Sequence, residues 1–124
     1  MSEQVFLCDA IIEQGEKDGW SYRIWSSGKK ECWYNQSVSI SGSWSTWGNT
    51  YYKRLAAVGN YPITFTSPPN LQVTISPHGS DMWFYVRGSA NYNTVEHPAE
   101  VALLRSTTLS TSMTVDVYYY AVGV

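Results

Sequence analysis

Positive charge never gathers in this chain. Lys and Arg total 8 of 124 residues against 10 Asp and Glu, charged residues make up only 15%, and the formal net charge is −2. The Lys29-Lys30 pair is too short a basic run to matter. A polyanion such as nucleic acid therefore meets no complementary surface, and no nucleic-acid partner is expected. No run of about 20 apolar residues occurs, and the N-terminus lacks the charged-then-apolar pattern of a secretion signal, so no membrane insertion is expected. Cysteine is scarce as well: Cys8 and Cys32 are too few for a disulfide framework, and both are read as free thiols, with Cys32 a small buried hydrophobe in a strand. The two histidines, His78 and His97, are not at metal-ligand spacing from each other or from the cysteines. Phosphate loops, nucleophile elbows and calcium loops are missing. Neither metal nor cofactor is expected. The carboxylates Asp81, Glu96, Glu100 and Asp116 stand singly, as solvated charges do, rather than as the pair a glycosidase sets across a cleft.

Aromatics are abundant by contrast, at 15% of the chain, with 6 Trp, 10 Tyr and 3 Phe. Tyr and Trp combine an apolar body with a polar tip and suit half-buried positions. Most are assigned here to a β core and its cross-strand pairs. The rest exceed what one small domain hides, and are assigned to a subunit interface or a ligand surface.

The periodicity is that of an all-β protein. Residues 1–18 read as a lead-in, an extended arm or short helix from an upstream segment, ending in the turn Glu16-Lys17-Asp18-Gly19. Residues 19–124 read as the folded domain. Alternation over 20–26, the Ser27-Gly28 turn and a returning strand over 30–34 make a hairpin. Its Trp25 and Trp33 are expected to meet across the strands as core. Further strands are expected over 36–41, 44–54 with a bend at Gly48-Asn49, 61–66, 71–76, 82–88, 101–105 and 113–120. About 6–9 short antiparallel strands at such spacing form a β-sandwich.

Two segments place aromatics beside amides and charges. One is the loop over 77–83, with His78, Asp81 and Trp83; the other runs over 87–97, with Arg87, Asn91, Tyr92 and Asn93. Sugar rings stack a C–H face on Tyr or Trp, and their hydroxyls pair with planar amides and carboxylates. The second segment is preferred for its length: Tyr92 would stack, Asn91 and Asn93 would bond hydroxyls, and Arg87 would favour an anionic substituent.

The stretch Gly19-Trp20-Ser21-Tyr22-Arg23-Ile24-Trp25-Ser26-Ser27-Gly28, followed by Glu31-Cys32-Trp33, resembles the opening of a C-terminal domain found in tail-fibre and minor structural proteins of phages and prophages of Gram-positive bacteria. Tyr61-Pro62-Ile63-Thr64-Phe65 before Pro68-Pro69, and a closing strand ending Tyr-Ala-Val-Gly, resemble later parts of it. The resemblance spans residues 19–123. The Lys29-Lys30 pair and the end at Val124 depart from the pattern. It implies a β-sandwich like that of the snail-type H lectins, a homotrimer at a fibre tip on the virion, and non-enzymatic recognition of a host cell-surface carbohydrate. The alternatives are a purely structural trimerisation or capping module and a glycan-cleaving enzyme domain. The site residues named above come from the residues themselves, since the resemblance transfers none.

Overall fold

The structure, a computed structural model, describes residues 8–56, 58–79, 81–86, 93–108 and 112–124. Among them run nine strands: β1 (Ile11–Lys17), β2 (Trp20–Trp25), β3 (Lys30–Ile40), β4 (Ser45–Trp47), β5 (Thr50–Arg54), β6 (Asn70–His78), β7 (Trp83–Val86), β8 (Val101–Arg105) and β9 (Met113–Gly123). They form a five-stranded sheet in the order β1-β2-β3-β9-β6 and a four-stranded sheet in the order β4-β5-β8-β7. Every pairing is antiparallel. The two sheets pack as the expected β-sandwich, with Trp20, Cys32, Val115, Val117, Tyr119 and Ala121 of one meeting Val101 and Leu103 of the other.

Turn chemistry fixes the strand ends. Asp18-Gly19 joins β1 to β2 as a two-residue loop with both residues at positive φ, 53° and 86°. This twist matches that of the strands it connects, and it favours Asp-Gly. A Cβ at Gly19 would come within 2.7 Å of the Tyr34 ring, so glycine is needed there for space as well. Ile11–Lys17 is thus the edge strand of the larger sheet. Its residues are mostly exposed on both faces, which removes the period-2 hydrophobic signal that betrays a strand.

Three expectations are corrected. Segments 30–34 and 36–41 fuse into the single strand β3, because Asn35 pairs in register with Tyr118 and breaks nothing. Pro77 and His78 extend β6 and are not loop residues. The segment 61–66 is no strand. Pro62 lacks an amide donor, and the backbone bonds of Tyr61 and Phe65 run to Glu96 and Val95 in an irregular segment. Tyr61 and Phe65 are nonetheless buried.

The core centres on Trp20, fully buried with its ring 5.3 Å from Tyr34, 5.4 Å from Tyr61 and 6.2 Å from Tyr119. Trp25 and Trp33 are half-buried and lie outside it. Trp33 pairs with Ser21 and Trp25 with Ile11, so the two indoles do not meet across the hairpin. Their alternation places them with Arg23 and Glu31, on the face away from Trp20 and Cys32.

Both cysteines are free thiols, Cys8 exposed and Cys32 buried. Burial raises the Cys32 thiol to about 12, so little thiolate, the reactive form, exists at neutral pH. Native protein treated with iodoacetamide at pH 8 is expected to gain one adduct, at Cys8, and the second only in denaturant. Two adducts on the folded chain, seen by mass spectrometry, would contradict this packing.

Candidate functional site

The outer face of the five-stranded sheet is where polar and aromatic side chains collect. Inward residues of β3, β9 and β6 feed the core, so the alternate residues of each strand must face away from it. The register aligns them in rows across the sheet. Trp33, Tyr120 and Gln72 form one row, Asn35, Tyr118 and Thr74 the next, then Ser37, Asp116 and Ser76. Thr114 and His78 follow beyond.

At the β2 end Glu31 is buried, 7% exposed. Tyr120 Oη–H donates to it at 2.6 Å and Trp25 Nε1–H at 2.9 Å, while the Arg23 guanidinium lies 3.9 Å away. Burial pushes the Glu31 carboxyl up, but these two hydrogen bonds and the charges of Lys29 and Arg23 outweigh it and leave it below the usual range. The same bond raises the Tyr120 phenol to about 12. Both indoles here are faced by a cation, Trp33 by Arg23 at 5.0 Å and Trp25 by Lys29 at 5.4 Å.

Three rows on, Asp116 accepts a hydrogen bond from the Ser37 hydroxyl, and His78 Nε2 lies 2.6 Å from its other oxygen. Ser37 and His78 hold the Asp116 carboxyl below its ordinary value. The carboxylate, not the imidazole, is central, so the serine hydroxyl has no base to activate it as in a hydrolase triad. Asn35, Ser37, Asp116 and Tyr118 line a shallow depression here. Among the described residues the Tyr118 hydroxyl has no hydrogen-bond partner, its ring meets no other ring or cation, and 41% of it is exposed.

Of the seven residues singled out from sequence, four are described, and Asn93, His78 and Trp83 stand on different parts of the fold. Arg87, Asn91 and Tyr92 lie outside the described residues. The Asn93 amide is engaged at both ends, accepting from Tyr61 Oη and donating to the Pro69 carbonyl at 2.7 Å. It ties two segments together at the edge of the core. His78 reaches the outer sheet face described above, whereas Trp83 lies on β7 of the other sheet, 64% exposed. Asp81 is exposed, and its backbone carbonyl accepts from Arg105 at 3.1 Å. The residues that loop-based reading passed over are Asn35, Ser37, Asp116 and Tyr118. Their signal was the alternation of polar and aromatic residues over 33–37 and 116–120. Among the described residues no three His, Cys, Asp or Glu side chains gather as metal ligands.

No family model matches the chain, and no curated protein matches its sequence. Two solved structures are similar over 95% of it. One, an N-truncated R1-type pyocin tail fibre, gives a TM-score of 0.50 at 12% identity with 87% of that chain covered. The other is an R1 pyocin fibre of P. aeruginosa comprising C-terminal residues 323–701, with a TM-score of 0.51 at 13% identity. This chain spans 28% of that second structure. What is shared at such identity is the fold, a β-sandwich that also occurs in pyocin tail fibres.

Proposed function

We propose that the chain is a tip domain of a phage-type tail fibre, carried on the virion, which assembles as a homotrimer and holds a host cell-surface carbohydrate without cleaving it. The observation that carries this reading is the likeness of fold to pyocin tail fibres over 95% of the chain. The outer sheet face supports it, since its hydroxyls, amides and exposed rings suit sugars better than peptide or lipid.

Assembly is supported by the edge strands. Natural sheets protect their edges with charge, proline or brevity. Here β1 carries Glu13, Glu16 and Lys17, β6 carries Pro77, and β4 has three residues. Strand β7, Trp-Phe-Tyr-Val, is also short but carries neither charge nor proline, and its Trp83, Phe84 and Val86 are exposed. A neighbouring copy would cover it. A module that only trimerises and caps would share this edge but would bind no sugar.

The test uses fluorescent protein on a panel of bacteria. Binding is expected to survive proteinase K treatment of the cells and to vanish after periodate, which cleaves vicinal diols of sugars. The reverse pattern would overturn the carbohydrate reading. No new reducing ends are expected from purified surface polysaccharide. Light scattering at micromolar concentration is expected to give three times the 14.0 kDa monomer mass.

A further inference from the structure

We infer that Tyr118, Asp116 and Asn35 form a subsite for one uncharged pyranose, a neutral hexose or N-acetylhexosamine, lying flat on the outer face of the five-stranded sheet. The inference rests on the carbohydrate reading above and assigns it a place and a ligand class.

Geometry selects this spot from the whole face. Asn35 and Thr74 flank Tyr118 as its partners on β3 and β6. Both are far smaller than a phenol ring, so the ring stands clear of them. Trp33 and Trp25, the larger aromatics, are already faced by Arg23 and Lys29. A sugar would have to displace a cation there, but not at Tyr118. Stacking on an unoccupied ring costs no prior contact.

Asp116 lies two residues along β9 from Tyr118 on the same face, about 7 Å away in an extended strand. The hydroxyls of a sugar stacked on Tyr118 extend toward Asp116, and the carboxylate side chain with a hydrogen bond of about 2.7 Å bridges the remainder. Each carboxylate oxygen already takes one bond, from Ser37 or His78, and retains a lone pair for a sugar hydroxyl. Those same bonds fix the carboxylate's orientation before any ligand arrives, which lowers the entropic cost of binding. Because Ser37 and His78 depress the Asp116 carboxyl, it is ionised at neutral pH and acts as acceptor only. The Asn35 amide, unengaged among the described residues, supplies the complementary donor.

The charge pattern sets the class. On the three rows from Trp33 to Ser76 the only carboxylate is Asp116, and no Lys or Arg stands among them. A uronic acid or phosphorylated sugar would set its negative charge beside Asp116 with no cation to offset it except His78. Anionic sugars are therefore disfavoured, the opposite of what Arg87 suggested from sequence.

The experiment is an amide NMR titration of the full chain with methyl glycosides of glucose, galactose, mannose, N-acetylglucosamine and N-acetylgalactosamine, and with glucuronate and galacturonate. At least one neutral glycoside is expected to shift amides over 34–37 and 115–119 at millimolar concentration, with uronates at least about ten-fold weaker, a gap of about 1.4 kcal/mol. Tyr118→Ala is expected to abolish these shifts while leaving the rest of the spectrum native. Asp116→Asn is expected to weaken the neutral glycoside about ten-fold and to erase the discrimination against uronates, a change that lost packing alone does not produce. Shifts centred on 93–97, or equal binding of uronates by the unaltered chain, would overturn the subsite and leave the carbohydrate reading standing. Periodate-sensitive cell binding with no glycoside shift would do the same. Loss of both would remove the carbohydrate reading as well.

Discussion

Trp20→Ala is expected to cost about 3–5 kcal/mol of unfolding free energy, the range for deleting a large buried aromatic. The side chain is fully buried, and three tyrosine rings pack against it. Its loss would leave a cavity between strands of one sheet and the irregular segment that holds Tyr61. Small domains are stable by only about 5–15 kcal/mol, so the variant is expected to be largely unfolded in moderate urea. Trp25→Ala is expected to cost less than half as much, because half-burial yields correspondingly less transfer energy. Urea titrations of the two variants side by side would decide this. A loss below about 1 kcal/mol for Trp20→Ala would mean that the core does not centre on this residue.

Glu31→Ala is expected to cost about 1.5–3 kcal/mol, the range for hydrogen bonds to a charged group. It removes the acceptor shared by Trp25 and Tyr120. The sign of its pH dependence follows from the depressed carboxyl. A group whose folded value lies below its unfolded value of about 4.3 stabilises the protein above that value, and the contribution is lost as pH falls through the folded value. Unaltered protein should therefore lose more stability than Glu31→Gln on going from pH 6 to pH 3. Asp9 and Asp116 are also held low and contribute to both curves, so the difference isolates Glu31. Parallel urea midpoints across this range would show that Glu31 is not engaged as described.

The sandwich was legible because most of its strands have one wet face and one dry one. Over 71–75, Leu71, Val73 and Ile75 alternate with Gln72 and Thr74, and all five sit in β6 as the pattern implies. Where that asymmetry fails, sequence reading failed too. Strand β1 is exposed on both faces and shows no period, although Asp18-Gly19 carried the signal for a hairpin that would have revealed it. Segment 61–66 has the period without the ladder, because Pro62 and its irregular partner prevent one. The candidate site was hidden for a different reason. Ser37 and Asp116 are separated by 79 positions, and only the strand register brings them together. Loop composition pointed instead to Asn93, whose amide is spent holding Tyr61 and Pro69.

Strand β9 is the last of the nine in the chain, yet it lies between β3 and β6 in the larger sheet. A nascent chain emerging from the ribosome N-terminus first has β3 and β6 available long before the strand that joins them. Until residues 113–123 are free, Val38, Ile40, Leu71, Val73 and Ile75 have no inter-strand partner to close their side of the core. The sheet is therefore expected to close late and to fold slowly for its size, since non-local pairings carry the loop-closure cost before any reward. Until then β6 and the far end of β3, beyond its pairing with β2, expose apolar side chains together, the condition under which chaperones are most needed.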